Sequence, residues 1–244
     1  MYTFLIQTIN NEIVFDFAFH LKEAIKYQNW FWNRKEYEYI FCESFEDIEI
    51  NMQDRKKYIP IGSVEFVLSF YEKYHNINNI KPINIPNQLN TYEFLQRKIF
   101  KGNQKNKIQS KPDKKYFIKD ISGFKKLTDI VCFKDIPENE DILVSELVDI
   151  SSEWRGFVYK NELLDIRCYL GDFTMFPDFK KIGKMINTYT DSPYAYTIDV
   201  AVLSNKETVL IEIHPFFSCG LYGFADYRVL VDMFIITHKQ IIFL

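Results

Sequence analysis

The sequence predicts an α+β protein, with an N-terminal α/β unit followed by a mainly antiparallel β unit that carries some helix. Three observations predict it. In the first hundred residues, strand-like apolar runs alternate with helix-like spacing. From Tyr116 onward, short β-rich segments succeed one another between turn residues. A hydrophobic content of 47%, with 17% aromatic residues, gives 244 residues enough apolar surface for one large domain or two modest ones. That composition excludes global disorder.

Taken in order, residues 2–8 and 36–42 are apolar and aromatic and read as strands, and residues 15–28 between them space apolar groups like an amphipathic helix. A second helix is expected after "IPIGS", with Ser63 as its N-cap and "VEFVLSFYEKY" as its body. "NTYEFLQRKIF" reads as a third, capped by Asn90 or Thr91. The expected division is an N-terminal α/β domain over 1–100, a basic linker-like segment over 101–115, and a second region over 116–244. Residues 97–119 hold nine Lys or Arg against one acid, Asp113. Such a run is a solvated connector or a positive rim that gathers an anion. Then come "YFIKD", "ILVSELV", "WRGFVY", "LLDIRCYL", "YTIDVAVL" and "TVLIEIHP", all strand-like, with a helix expected within 176–190.

Several of these strands carry charges that strands seldom hold. A hairpin turning at Asn205 and Lys206 sets Asp199 opposite Glu212, with His214 on the same face. Ile198, Val200, Ile211 and Ile213 take the other face. Facing carboxylates repel, so the pair is either a solvated polar face or a site for a hard cation such as magnesium. A second hairpin, centred on Asn161, sets Arg155 opposite Arg167. Two adjacent guanidiniums need a phosphate between them, or a local acid each, such as Glu153 or Asp165. Lys119 interrupts "YFIKD" before a loop holding Gly123, Lys125 and Lys126, a weak phosphate-binding signal. Glu146 ends an apolar strand as a structural carboxylate or beside backbone groups that read a base. Cys219 is a nucleophile or a packed thiol. Jointly, a lysine, two arginines and a carboxylate pair on strands describe a nucleoside triphosphate site with a metal.

At this point the chain resembles an ATP-grasp protein of the divergent clade named for an arginine and two lysines. That clade holds small phage and bacterial proteins and a eukaryotic cell-division-cycle chaperone that assembles a translation initiation factor. "IPIGSVEFV" resembles the pre-ATP-grasp signature, "YFIKD" the lysine strand, and "VSELVD" the adenine-holding hinge. "EWRGFV" and "IRCY" resemble the arginine strands, and "IDVAV" with "IEIHPFFSCGLYG" the metal-binding strands. The resemblance implies two α+β subdomains clasping ATP, preceded by an α/β pre-ATP-grasp domain. It implies nucleotide contacts from Lys119, from Lys125 or Lys126, and from the hinge at Glu146 and Val148. It gives Arg155 and Arg167 the transferred phosphoryl group, and Asp199 and Glu212 the magnesium. The implied reaction phosphorylates a carboxylate with ATP, and an amine then displaces phosphate. The substrates it implies are a carboxylate and an amine, one of them in a peptide or protein. In the family's last strand an asparagine stands where this chain has His214. A ring nitrogen suits manganese better than magnesium, so His214 is a metal ligand or a prop packed under Phe216 and Phe217.

Two other function classes stand beside the ligase: a nucleotide-dependent assembly chaperone, and a protein acting on nucleic acid through residues 97–119. A net charge of -3 argues against the latter. Cys42, Cys132, Cys168 and Cys219 have no metal-site or disulfide spacing. The start has no basic region before a long apolar stretch, and "MFIITHKQIIFL" is broken by His238 and Lys239. A cytoplasmic protein is expected.

Overall fold

The structure, a computed structural model, describes residues 1–124 and 126–243. The first unit is a parallel sheet of β1 (Tyr2–Gln7), β2 (Tyr37–Cys42) and β3 (Tyr58–Ile61), in the order β2-β1-β3. Parallel neighbours need a crossover. The first is α1 (Asp16–Phe31), which buries Phe17, Leu21 and Ile25; α2 (Val64–His75) follows β3. Ser63 caps α2 as expected, its side chain accepting from the Phe66 amide at 3.1 Å. Asn76 closes it in the left-handed conformation.

The second unit is an antiparallel sheet of β4 (Ile99–Lys101), β5 (Lys115–Asp120), β6 (Thr128–Cys132) and β7 (Ile142–Glu146), in the order β4-β7-β5-β6. Tyr116, Ile118, Ile142 and Val144 fill its core face. Side chains alternate across a strand, so Phe117, Lys119, Leu143 and Ser145 look the other way, into a cleft.

Here the structure departs from the expected elements. The helix over 90–100 shrinks to α3 (Tyr92–Leu95), because Gln96 turns left-handed and Ile99–Lys101 pairs with β7. Non-local strand pairing outweighs the helical spacing of Phe94, Leu95, Ile99 and Phe100. The boundary drawn at residue 100 therefore cuts β4. Nor does 101–115 hang free: 102–107 form a 3-10 turn, and Lys105 donates to the carbonyls of Lys134 (2.7 Å) and Ile136 (3.0 Å).

The third unit is an antiparallel sheet of β8 (Ile150–Tyr159), β9 (Glu162–Gly171), β10 (Ala195–Leu203) and β11 (Thr208–Pro215), in the order β11-β10-β8-β9. The helix α4 (Phe179–Thr188), capped by Asp178, packs Ile182, Met185 and Ile186 on Trp154, Val158, Ile198 and Val200. The chain then returns to the first unit. Its last helix, α5 (Leu230–Ile242), lies in one core with Phe4, Ile6 and Leu21.

Candidate functional site

Four charged residues form one row across the third sheet. Glu212 pairs with Asp199, Asp199 with Arg155, and Arg155 with Arg167. His214 and Asp165 lie two residues along from the ends of that row, hence on its face. Each hairpin reaches this register through a bulge. The 160–161 turn has two residues, both left-handed, and the irregularity between Phe157 and Val158 restores Arg155 opposite Arg167. Likewise a shift between Asp199 and Val200 leaves Ile211 without a partner. Ile198, Val200 and Ile213 face the core as expected, but Ile211 does not; it joins Glu212 on the cleft wall.

The two arginines need no anion between them. Arg155 grips Asp199 with both ends of its fork, at 2.8 and 2.7 Å, and donates to the Gly220 carbonyl at 3.2 Å. Burial alone would lower the guanidinium's pKa, but Asp199 raises it further. Arg167 binds Asp165 at 2.9 and 2.6 Å, the local-acid alternative. Tyr222 and Tyr169 flank Arg155, their ring centres 5.2 and 5.8 Å from its guanidinium carbon.

Ligand atoms of Asp199, Glu212 and His214 lie within 4.8 Å of one another. His214 Nε2 is 2.9 Å from Glu212 Oε1 and 3.8 Å from Asp199 Oδ2. From across the cleft, Lys119 Nζ binds the other Glu212 oxygen. Burial would raise the Glu212 carboxyl, yet His214 and Lys119 outweigh it and hold the pKa down to about 2. The glutamate is thus an anion at neutral pH. Two carboxylates and an imidazole with converging atoms fit a divalent cation. Cys219 is buried, and burial pushes its thiol up to about 12. It is a packed thiol, since nucleophilic cysteines need a thiolate.

Beside this cluster lies a cavity of about 290 Å³, between the cleft face of the second sheet and the edge of the third. Phe117, Leu143 and Ile211 make apolar walls; Lys119 and Glu212 stand on them, Val148 lies on the connection joining the two sheets, and Ile150 begins β8. The Glu146 side chain is engaged elsewhere, accepting from the Lys98 amide (2.9 Å) and from Lys114 (2.7 Å). Lys126 is exposed and outside the cavity lining, and Lys125 lies outside the described residues. Sequence reasoning missed Arg97 and Asn84. Arg97 is buried in the cavity wall, bonded to Ser145 Oγ (2.9 Å) and to the Leu95 and Leu210 carbonyls. Burial draws its pKa down to about 10. In the sequence it is one cation in a basic run; only its place next to apolar "YEFL" sets it apart.

Comparison with known families decides what frame this is. The model of the ATP-grasp domain, family 2 of the clade named for an arginine and two lysines, matches residues 94–231, more than half of the chain. The protein belongs to that ATP-grasp family. No curated protein matches by sequence. Solved structures match across the chain at low identity and carry the same fold. The ATP-grasp ligase PsnB, complexed with a phosphomimetic variant of its minimal precursor, Mg and ADP, has a TM-score of 0.54 at 11% identity. It covers 97% of both chains. The macrocyclase MdnC from Microcystis aeruginosa MRC, bound with precursor peptide MdnA, has a TM-score of 0.53 at 10% identity over 99% of both. N5-carboxyaminoimidazole synthetase from Staphylococcus aureus, complexed with ADP, has a TM-score of 0.56 at 11% identity. That match covers 94% of this chain and 76% of the synthetase. The matched residues 94–231 take in the whole of the second and third sheets and the cleft between them. Among the described residues, no helix is long and apolar enough to cross a membrane.

Proposed function

We propose that this ATP-grasp protein is an ATP-dependent ligase that joins a carboxylate to an amine through an acyl phosphate, with a peptide or protein supplying one partner. One observation carries the reading: Lys119, Arg155, Asp199, Glu212 and His214 converge beside a largely apolar cavity of about 290 Å³. Adenine lies between Phe117 and Ile211, against the backbone at 146–148. Lys119 takes the α and β phosphates, releasing Glu212. Asp199, Glu212 and His214 are the residues that would hold magnesium or manganese, which would neutralise charge on the phosphates when bound.

The substrate carboxylate oxygen bonds to the γ-phosphorus as the bond to ADP breaks. Arg155 and Arg167 stabilise the phosphoryl and acyl phosphate oxygens as charge develops. The amine nitrogen then bonds to the acyl carbon, phosphate leaves, and the amine proton passes to solvent or phosphate. Lys125 or Lys126 steadies the phosphates from the loop after β5. No protein nucleophile is required, in keeping with the protonated Cys219. Precursor peptides in two structural neighbours support a peptide substrate. We place the reaction in the cytoplasm, where ATP is available. Nucleic acid is a poorer partner, because Lys105 and Lys114 of the basic stretch are engaged within the fold.

The test is incubation with cell extract, magnesium-ATP and hydroxylamine, read by mass spectrometry. A hydroxamate on a peptide, dependent on ATP and lost in Arg155→Lys, is expected. ATP binding with no adduct and no ADP release in any extract would favour the assembly-chaperone alternative.

A further inference from the structure

Asn84 sits in the connector between α2 and α3, in the left-handed conformation at φ 57°. Its backbone carbonyl accepts the Ile213 amide at 2.7 Å, tying the connector to the free edge of β11 between Glu212 and His214. The residue is only 8% exposed, and its side-chain oxygen is buried without a hydrogen-bond partner among the described residues. Buried acceptors are rarely left so, and an orphan in a cavity wall marks a place for a donor from a ligand. Asn84 lines the nucleotide cavity together with Lys119, Leu143 and Glu212.

We infer that Asn84 recognises the ribose of the nucleotide, its amide oxygen accepting a hydrogen bond from a ribose hydroxyl. The inference rests on the ATP reading above and deepens it. Elimination leads to the ribose. A carbonyl oxygen takes a hydrogen-bond donor or a cation, and the cation has its place at Asp199, Glu212 and His214, so the partner here donates. ATP has two kinds of donor, the adenine amine and the ribose hydroxyls, while its ionised phosphates carry acceptors alone. The adenine edge is assigned to the backbone at 146–148 and the phosphates to Lys119. The ribose joins the two, and Asn84 stands in the wall shared with Lys119 and Glu212. Its side chain also borders a second cavity of about 460 Å³, with Lys81, Lys101 and Asp141 on its rim, which is the competing source of a donor.

Calorimetric titration with ATP and with 2′,3′-dideoxy-ATP, at fixed magnesium, tests this. The wild type should prefer ATP by about five- to tenfold, one buried hydrogen bond's worth. Asn84→Gly keeps the left-handed backbone but removes the amide, and should bring the ratio near one. Asn84→Asp keeps an acceptor oxygen, and should retain the ratio even if its charge weakens both nucleotides. A side chain that merely packs would lower both affinities and leave the ratio unchanged. Equal affinities in the wild type overturn the inference without recourse to any variant. An unchanged ratio in folded Asn84→Gly overturns it too, and turns attention to the second cavity. Loss of the ratio in Asn84→Asp would mean that the amide donates, against the proposal. A folded wild type that binds neither nucleotide refutes the ATP reading itself, which separates the two failures.

Discussion

Arg155 and Asp199 are both buried, and each is tolerable only beside the other. Truncating one partner of such a pair leaves a charge without compensation, at a cost of about 3–5 kcal/mol. Arg155→Met should lower the urea midpoint sharply, and adding Asp199→Asn should recover part of the loss; equal midpoints in wild type and single variant would mean that the pair is solvated. Nearby, His214→Asn exchanges a ring nitrogen for an amide oxygen. Metal titrations should then show preference moving from manganese toward magnesium; an unchanged ratio would make His214 a prop rather than a ligand. These residues were legible in the sequence because charged side chains on apolar strands violate the pattern around them. Lys119, Arg155, Asp199, Glu212 and His214 all stood out this way. Asn84 and Arg97 did not. One is an amide in a connector and the other a cation among cations. Their importance comes from burial against β11 and β7, which local pattern does not carry.

At the scale of elements, the two hairpins explain why facing pairs could be read while turns could not. Summing positions about Asn161 gave the correct partner for Arg155, although the turn is two residues long and centred elsewhere. The bulge that compensates leaves no periodic trace. Lys160 and Asn161 have φ of 50° and 64°, the mirror-image turn that matches strand twist and favours asparagine or glycine. Asn161→Val should destabilise the protein by about 1–2 kcal/mol, the cost of a branched residue in the left-handed region, whereas Asn161→Gly should be near neutral. Chemical denaturation distinguishes them; equal loss in both would mean that the asparagine side chain, not its conformation, matters. β6 escaped notice because its apolar run, Ile130 to Phe133, is short and follows the polar pair Thr128 and Asp129. The third helix was over-extended because its apolar spacing fits a helix until Gln96 turns.

Across the whole molecule, α5 closes the chain against the first unit, and His238 carries that contact. Its Nε2 faces the Lys56 carbonyl at 3.0 Å and must donate to it, so Nδ1 accepts from the Tyr71 hydroxyl at 2.9 Å. This network requires a neutral ring. Burial lowers the His238 pKa to about 4, and His75 and Lys239 push the same way. A histidine with a depressed folded pKa contributes fully above its unfolded value of about 6.5, and its contribution falls as pH drops toward about 4. The loss amounts to roughly 3 kcal/mol. Urea midpoints between pH 7 and 4 should therefore decline more steeply in wild type than in His238→Gln; parallel curves would show that the ring is solvated. The cleft lies between the second and third sheets, and the central claim depends on it: Lys119 and the Glu212 cluster form one nucleotide site across two sheets. Calorimetric titration of magnesium-ATP into wild type and Lys119→Met tests it most directly. A charge-assisted contact worth roughly 1.5–3 kcal/mol predicts at least about tenfold weaker binding in a variant that stays folded. Equal affinities in the two folded proteins would contradict the site.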